Sequence, residues 1–275
     1  MKSFQISVFD DHEALSEKAA KWLVKHVGRA IAARGYCVFV PSAGRTPTKL
    51  YEILRTRHRQ SIDWSRVITV QMDEYAGMPS TSPESFAHYI INHLTAPLGV
   101  KLFHRFFDEG GNLAAPFAAI DQRIYDLGGI DIVLYGVGEN GHLGLNEPGA
   151  TEDSETGYVY LTDATLISNT GRPLKEARTI LPTEGATLGL KVLLRARKSL
   201  LIASGARKRE AVSRFMMDGI SAESPSTFLR LRESVTVMIT SDCAPYSNVS
   251  RQDRNQFGAC SMRERHAAYL RNLIL

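Results

Sequence analysis

The chain has 275 residues, of which 44% are hydrophobic and 23% are charged, and its formal net charge is +4. This composition is that of a globular protein with a sizeable buried core, and it excludes a low-complexity or disordered chain. The small positive excess suits an anionic small-molecule substrate, whereas no basic block with interleaved aromatic residues indicates nucleic acid.

The cysteines and the apolar runs bound the cellular setting. The three cysteines, Cys37, Cys243 and Cys260, have neither the even number of a disulfide framework nor the CxxC spacing of a zinc site. The first residues lack the pattern of a signal peptide, and no run of 18 apolar residues is present to span a membrane. We therefore expect a cytoplasmic protein with no bound metal and no membrane contact.

Short apolar runs alternate with helical patterns along most of the chain. Near-continuous aliphatic character predicts five strands: Tyr36–Pro41, Val67–Met72, Asp131–Tyr135, Ser199–Ala203 and Val235–Thr240. Three-to-four spacing and turn residues predict seven helices: His12–Ala33, Pro47–His58, Ser85–Leu94, Leu113–Leu127, Glu184–Leu194, Ala206–Met217 and Ser224–Leu231. This alternation predicts an α/β fold, a three-layer sandwich with a mostly parallel sheet and right-handed crossovers.

The predicted fold covers one domain, residues 1–240, followed by a tail at residues 241–275. The tail begins polar and irregular and then predicts a short helix at Met262–Leu275, with apolar residues among arginines. Packing of this helix on its own domain is the favoured interpretation. Contact with a second subunit is the alternative, so a homo-oligomer stays open.

The loop after the first predicted strand, residues 42–47, reads Ser-Ala-Gly-Arg-Thr-Pro. Pro47 is typical of the first turn of a helix, and Thr46 is typical of its N-cap. Backbone N–H groups at a helix N-terminus, together with a threonine hydroxyl, would bind a phosphate. A plain capped turn explains the pattern equally well, and it matches neither the P-loop nor the GxGxxG fingerprint.

Two adjacent carboxylates, Asp73 and Glu74, follow the second predicted strand. Carboxylates in such a place are costly unless they are hydrogen-bonded or used in chemistry. Taken alone, the pair favours an Asx-type turn with a solvated glutamate.

The strand predicted at Asp131–Tyr135 leads into a glycine-rich loop that contains His142 and Glu147. Ligands bind at the carboxyl ends of strands in doubly wound folds, and closely spaced glycines let the backbone approach them. A lone histidine after a strand is usually structural. However, Asp73 follows another strand of the same predicted sheet, so the two groups could divide acid and base roles.

Farther along, Arg172 lies in a polar segment and Lys208 opens a helix after a predicted strand. Both are candidate charge partners for a phosphate, although a lysine at a helix start is usually just solvated. The long polar segment 150–170 is the expected place for a lid.

Together these segments resemble the glucosamine-6-phosphate deaminase/isomerase family, whose relatives include the 6-phosphogluconolactonases. The matching segments are residues 42–47, 72–77, 83–86, 136–148 and 205–208, and they follow the family's order and spacing. The ending Asn146-Glu147-Pro148 is similar to the deaminase branch rather than to the lactonases.

The resemblance implies a Rossmann-like fold and the conversion of glucosamine 6-phosphate and water into fructose 6-phosphate and ammonia, without a cofactor. His142 would move a proton at the ring oxygen, and Asp73 would transfer a proton from C2 to C1. Glu147 would orient His142, and Asn140, where some members carry an aspartate, would complete the catalytic set. The phosphate would be bound by Ala43, Gly44, Arg45, Thr46, Lys208 and Arg172.

The sequence departs from the family pattern at two places, and two alternative functions are compatible with it. Arg45 stands where the family usually has glycine or serine, so it either adds a phosphate contact or marks a different hexosamine phosphate. The segment 156–160 lacks the basic residues of the activator site of hexameric relatives, so that site is not expected here. The alternative functions are lactone hydrolysis like that of a 6-phosphogluconolactonase, which needs no C2 base, and a non-enzymatic sugar-phosphate sensor.

Overall fold

The computed structural model describes residues 5–245, so the helix predicted at Met262–Leu275 lies outside the described residues. Ten strands, β1 to β10, are Gln5–Phe9, Cys37–Val40, Val67–Val70, Asp73–Tyr75, Leu102–His104, Ile132–Gly136, Gly157–Tyr160, Glu184–Thr187, Lys198–Ala203 and Val235–Thr240. Nine α-helices, α1 to α9, are His12–Arg34, Arg45–Arg57, Phe86–Ile90, Ala96–Leu98, Phe117–Asp126, Asp163–Thr170, Leu174–Ile180, Leu190–Leu193 and Arg209–Met217. Shorter helical segments are the π-helix Ile91–Thr95 and the 3-10 helices Trp64–Arg66, Ala206–Lys208, Pro225–Leu231 and Ser241–Cys243.

Local sequence accounts for the first helix. The side chain of Asp11 accepts a hydrogen bond from Ala14 N at 2.8 Å and so caps α1. Gly35 ends the helix with φ at 83°, a conformation that costs glycine little. This helix is 23 residues long, but no helix among residues 5–245 combines the length and apolarity needed to cross a membrane.

Seven strands form a parallel sheet in the order β1-β10-β9-β6-β2-β3-β5, and β4, β8 and β7 form a small antiparallel sheet. From β2 the chain continues to β3 on one side, whereas from β6 it continues to β9 on the other. The topological switch point therefore lies between the central strands β2 and β6, where doubly wound sheets bind ligands.

Both faces of the parallel sheet are covered, because alternate strand residues belong to different hydrophobic clusters. Cys37 and Phe39 pack with residues of α1 and α2 on one face. Val38 and Val40 pack on the other face with residues of α8 and α9. The prediction of a three-layer α/β fold with a mostly parallel sheet is confirmed.

All five predicted strands are present, with bounds that differ by at most two residues. The helix predicted at Glu184–Leu194 is wrong in its first half, because residues 184–187 form β8 and the helix is confined to Leu190–Leu193. Tertiary pairing decides this segment: β8 lies between β4 and β7. A Cβ atom at residue 185 would lie 2.9 Å from the backbone oxygen of Glu74 and 2.4 Å from Leu145 Cδ1, so glycine is the residue that fits there.

Asp131 ties the two central strands together at their amino ends. Its carboxylate is 3% exposed, accepts Val38 N at 2.8 Å and pairs with Arg34 Nη1 at 2.6 Å. Arg197 Nη1 lies 3.4 Å from the same carboxylate. The contact holds β6 in register beside β2 and so fixes the distance between the loops that follow these strands.

Asp131→Ala should lower the free energy of unfolding by about 3 kcal/mol, because it leaves Val38 N and the Arg34 guanidinium without their buried acceptor. Urea unfolding at pH 7 measures the loss. Asp126→Ala is the matched control, since Asp126 is an exposed carboxylate bonded to Gln122. Equal midpoints for the two variants would contradict the structural role of Asp131.

Candidate active site

The loops that follow β2, β3, β6 and β9 meet at the carboxyl edge of the parallel sheet and line one open cavity of about 560 Å³. Eight of the ten predicted site residues line this cavity: Ala43, Gly44, Arg45, Thr46, Asp73, His142, Arg172 and Lys208. Asn140 and Glu147 lie behind His142 and contact it. The structure thus brings the predicted aspartate and histidine into the same cavity.

His142 is held from one side of its ring. Nδ1 lies 3.2 Å from Thr165 Oγ1 and 3.5 Å from Glu147 Oε2. The imidazole also packs against backbone at Gly138, where a Cβ atom would come within 2.4 Å of the ring. No described residue bonds Nε2, so this nitrogen is free to exchange a proton with a ligand.

Glu147 is a buried carboxylate, 7% exposed, that stays ionised. It accepts hydrogen bonds from Asn140 Nδ2 at 2.7 Å and from the backbone N–H of Thr162 at 3.3 Å. Burial would raise the pKa of Glu147, but hydrogen bonds and the charge interaction with His142, together with hydrogen bonds from Thr165 and Asn140, lower it to about 2. An ionised carboxylate beside Nδ1 favours a proton on that nitrogen, which leaves Nε2 as the acceptor.

Asp73 has the opposite environment. It is 8% exposed, lies in β4, and its side chain receives no hydrogen bond from any residue between 5 and 245. Burial, and secondly the negative charge of Glu74, raise the pKa of Asp73 to about 8. A carboxylate with so little solvation is a strong proton acceptor at the edge of the cavity.

The prediction that Thr46 caps α2 is wrong. The helix begins at Arg45, and the N-cap is Gly44, whose φ of 114° is a conformation that favours glycine. No side chain caps this end. The first N–H groups of the helix therefore have no protein acceptor from a cap, and they lie at the cavity, where they favour an anion.

Two cations stand beside this helix end without a carboxylate partner. Neither Arg45 nor Lys208 forms an ion pair within the described part of the chain. Burial lowers the pKa of Lys208; the charge of Glu139 opposes this, and the charges of Arg45 and Arg207 add to it. An anion between Arg45 and Lys208 would relieve their repulsion.

Arg172 lies at the rim of the cavity rather than within it. Its side chain is 62% exposed, and its Nη1 lies 3.7 Å from Glu176 Oε2. The segment 150–170, expected to hold a lid, contains β7 and α6, and residues 168–170 of α6 line the cavity wall.

Two groups near the site were not foreseen from the sequence. Glu74, expected to be solvated, is 1% exposed and fully hydrogen-bonded, because the chain turns back over it at Ser85. Thr165 contacts His142 because Thr162 caps α6 and places its first turn there. A threonine and an aspartate before the apolar residues of α6 were the available helix-start signal.

Comparison with known proteins points to the same family as the sequence motifs do. The model of the family described as glucosamine-6-phosphate isomerases/6-phosphogluconolactonase matches residues 10–238. A glucosamine-6-phosphate deaminase of Clostridium botulinum (strain Kyoto / Type A2) is 30% identical over 248 residues, which are 89% of this chain and 99% of that protein.

Solved structures agree in fold. The structure of a monomeric glucosamine-6-phosphate deaminase is 28% identical, with a TM-score of 0.78 over 87% of this chain and 98% of that one. A 6-phosphogluconolactonase from Shewanella baltica OS155 is 22% identical, with a TM-score of 0.69 over 87% and 99% of the two chains, a likeness of fold alone.

Asp73→Asn should make the protein more stable, and the gain should grow with pH. An aspartate whose pKa rises from 3.8 to about 8 on folding opposes folding progressively as pH climbs between these values. The variant should match the wild type near pH 4 and exceed it by about 6 kcal/mol at pH 9, measured by urea unfolding.

Glu147→Gln provides the comparison of opposite sign. Because the pKa of Glu147 is lowered from 4.5 to about 2, its contribution is complete above pH 4.5 and is lost as pH falls through 2. This variant should be destabilised equally at pH 6 and pH 9.

For Asp73→Asn, by contrast, a change in the free energy of unfolding that did not vary with pH would refute the raised pKa of Asp73.

Proposed function

The chain belongs to the family of glucosamine-6-phosphate isomerases and 6-phosphogluconolactonases, and on that premise we propose that it converts glucosamine 6-phosphate and water into fructose 6-phosphate and ammonia. The observation that carries this proposal is the meeting, in one cavity, of an unsolvated Asp73 and a histidine backed by an ionised Glu147. The names of the Clostridium relative and of the 28% identical structure support the same reaction. The net reaction consumes water, so the enzyme is a hydrolase as well as an aldose–ketose isomerase.

The phosphate of the substrate binds where the cavity is most positive. The free N-terminus of α2 supplies N–H donors, and Arg45 and Lys208 supply charge. Arg172, at the rim, is a third cation that can contact the phosphate. This grip lies away from Asp73 and His142 along the sugar, so it fixes the position of the reacting carbons without taking part in bond changes.

Ring opening falls to His142. With a proton on Nδ1, the free Nε2 accepts the proton of the anomeric hydroxyl and then donates it to the ring oxygen as the C1–O5 bond breaks. Glu147 stabilises the imidazolium that exists between these two transfers, and Asn140 holds Glu147 in place by its hydrogen bond. The product is the open-chain amino aldehyde.

Isomerisation falls to Asp73. Its carboxylate takes the proton from C2, the oxygen at C1 gains a proton from the substrate's ammonium group, and a neutral C1–C2 enolamine forms. Protonated Asp73 then delivers its proton to C1, which leaves an iminium group at C2. Water adds to the iminium carbon C2, and one of its protons passes to the nitrogen. Ammonia then leaves with the C–N electron pair, and loss of the second water proton gives the ketone of fructose 6-phosphate.

No metal or organic cofactor is required by this sequence of steps, because the substrate's amine and carbonyl delocalise the charge.

The two buried cysteines among the described residues, Cys37 and Cys243, are free thiols, which supports the proposed cytoplasmic location.

The purified protein should release ammonia and fructose 6-phosphate from glucosamine 6-phosphate, and Asp73→Asn should lower kcat by about 1,000-fold. Coupled assays of both products measure this. Asp63→Asn, an exposed carboxylate outside the cavity, is the control and should keep wild-type activity. Lactone hydrolysis needs no base at C2, so turnover of 6-phosphogluconolactone that survives Asp73→Asn would replace the deaminase assignment.

The hexosamine isomer is tested in the same assay. We propose the gluco isomer, and glucosamine, galactosamine and mannosamine 6-phosphates are compared by kcat/KM. A higher value for the galacto or manno compound would keep the chemistry and change the substrate.

Lys208→Ala should raise KM for glucosamine 6-phosphate at least about 10-fold with a smaller effect on kcat, because it removes a charge that contacts only the phosphate. Lys191→Ala, an exposed lysine paired with Glu155 at 2.8 Å, is the control. Inorganic phosphate should inhibit the wild type competitively and the Lys208 variant more weakly. An unchanged KM would show that the phosphate binds elsewhere.

A further inference from the structure

Glu74 makes an unusually complete set of contacts for a carboxylate that does not face the cavity. It is 1% exposed. Its two oxygens accept five hydrogen bonds, from Gln71 Nε2 at 2.9 Å, Tyr75 N at 3.0 Å, Ser85 Oγ at 2.6 Å, Phe86 N at 3.0 Å and Ala87 N at 2.9 Å. The last three belong to the N-cap and first turn of α3. One side chain thus joins β4 to the start of a helix eleven residues later.

The partners of Glu74 define its charge. Three are backbone N–H groups and one is a side-chain amide, and none of these can accept a proton. If the carboxyl group were protonated, its O–H would face a hydrogen-bond donor where it needs an acceptor. Burial raises the pKa of Glu74, and hydrogen bonds from Ser85 and the backbone N–H groups limit that rise. The environment therefore matches a carboxylate anion.

Glu74 and Asp73 are neighbours in β4, so their side chains point to opposite faces of the strand. Asp73 faces the cavity and Glu74 faces α3. The remaining ionisable groups near Asp73 are the phenols of Tyr51 and Tyr75, both of them buried and neutral. Across the cavity stand His142, Arg45, Lys208, Arg172, Glu84 and Tyr89. Glu74 is the only one of these groups whose charge contributes to the raised pKa of Asp73.

We propose that Glu74 is a positioning residue for Asp73: it clamps the strand that bears Asp73 onto the first turn of α3 and keeps a fixed negative charge beside the proton acceptor. This inference rests on the proposed function, in which Asp73 removes the C2 proton. The clamp sets where the Asp73 carboxylate lies relative to C2, and the charge disfavours a second anion next to it. Both effects act through Asp73, because Glu74 itself has no access to substrate.

The pH profile of kcat/KM for glucosamine 6-phosphate separates the charge from the clamp. In the wild type, activity should rise with pH through about 8 as Asp73 loses its proton. Glu74→Gln removes the charge, so this rise should move to lower pH by about one unit. The value of kcat should also fall about 10-fold, because the glutamine NH2 group would face the hydrogen-bond donors that bonded the carboxylate. Glu74→Asp and Ser85→Ala keep the charge and weaken the clamp, so kcat should fall while the rise stays near pH 8.

The comparison includes Glu109→Gln, an exposed glutamate outside the cavity, which should behave like the wild type. A purely structural Glu74 would lower kcat in all three variants without moving the profile. The proposal is therefore overturned if Glu74→Gln folds and its profile coincides with that of the wild type.

A second measurement covers the case in which Glu74→Gln does not fold. Carboxyl ¹³C NMR of the wild type, assigned with Asp73→Asn and Glu74→Asp, should show Asp73 titrating near pH 8 while Glu74 stays ionised from pH 6 to 10. A Glu74 signal that shows a protonated carboxyl group at any pH in this range would overturn the proposal. Because this readout needs no turnover, the Glu74–Asp73 pair can be tested even if glucosamine 6-phosphate proves not to be the substrate.

Discussion

The main physical constraint on this structure is that the Asp73 carboxylate is buried and receives no hydrogen bond within residues 5–245. An ionised group in such a place opposes folding, so the surrounding structure has to fix it by other contacts. The small antiparallel sheet does this: Asp73 pairs with Thr187 through the backbone, and Leu188 N bonds Met72 O at 2.8 Å. On the opposite face of the same strand, Glu74 is saturated with donors. Free energy gained in these contacts offsets the cost of burying the Asp73 charge without hydrogen-bond donors.

Two buried carboxylates near the cavity differ because their donors differ. Glu147 receives hydrogen bonds from Asn140 and Thr162 and lies beside His142, and its pKa falls to about 2. Asp73 has none of these partners, and its pKa rises to about 8. One carboxylate is therefore fixed as an anion beside the His142 ring, while the other can gain and lose a proton near neutral pH. This division suits a reaction with separate ring-opening and proton-transfer steps.

The parallel sheet was predictable because its strands are buried on both faces and appear in the sequence as continuous aliphatic runs. The antiparallel sheet was not. Residues 184–187 read Glu-Gly-Ala-Thr and carry no strand signal, and β4 is only three residues long. Their pairing is decided by contacts with distant segments, such as the approach of Leu145 to Gly185. For the same reason the burial of Glu74 could not be foreseen, since its donors Ser85, Phe86 and Ala87 come from the following helix.

The sequence by itself determined the α/β class, the loops that line the cavity, and the family, because glycine spacing, buried strands and motif residues are local properties of the chain. Only the tertiary structure decided that Asp73 and His142 share a cavity, that α2 begins at Arg45 with an uncapped end, and that Glu74 is a buried, fully hydrogen-bonded carboxyl group. Solvation and charge state depend on which donors surround a group. Those donors come from segments far apart in the chain, and only folding brings them together.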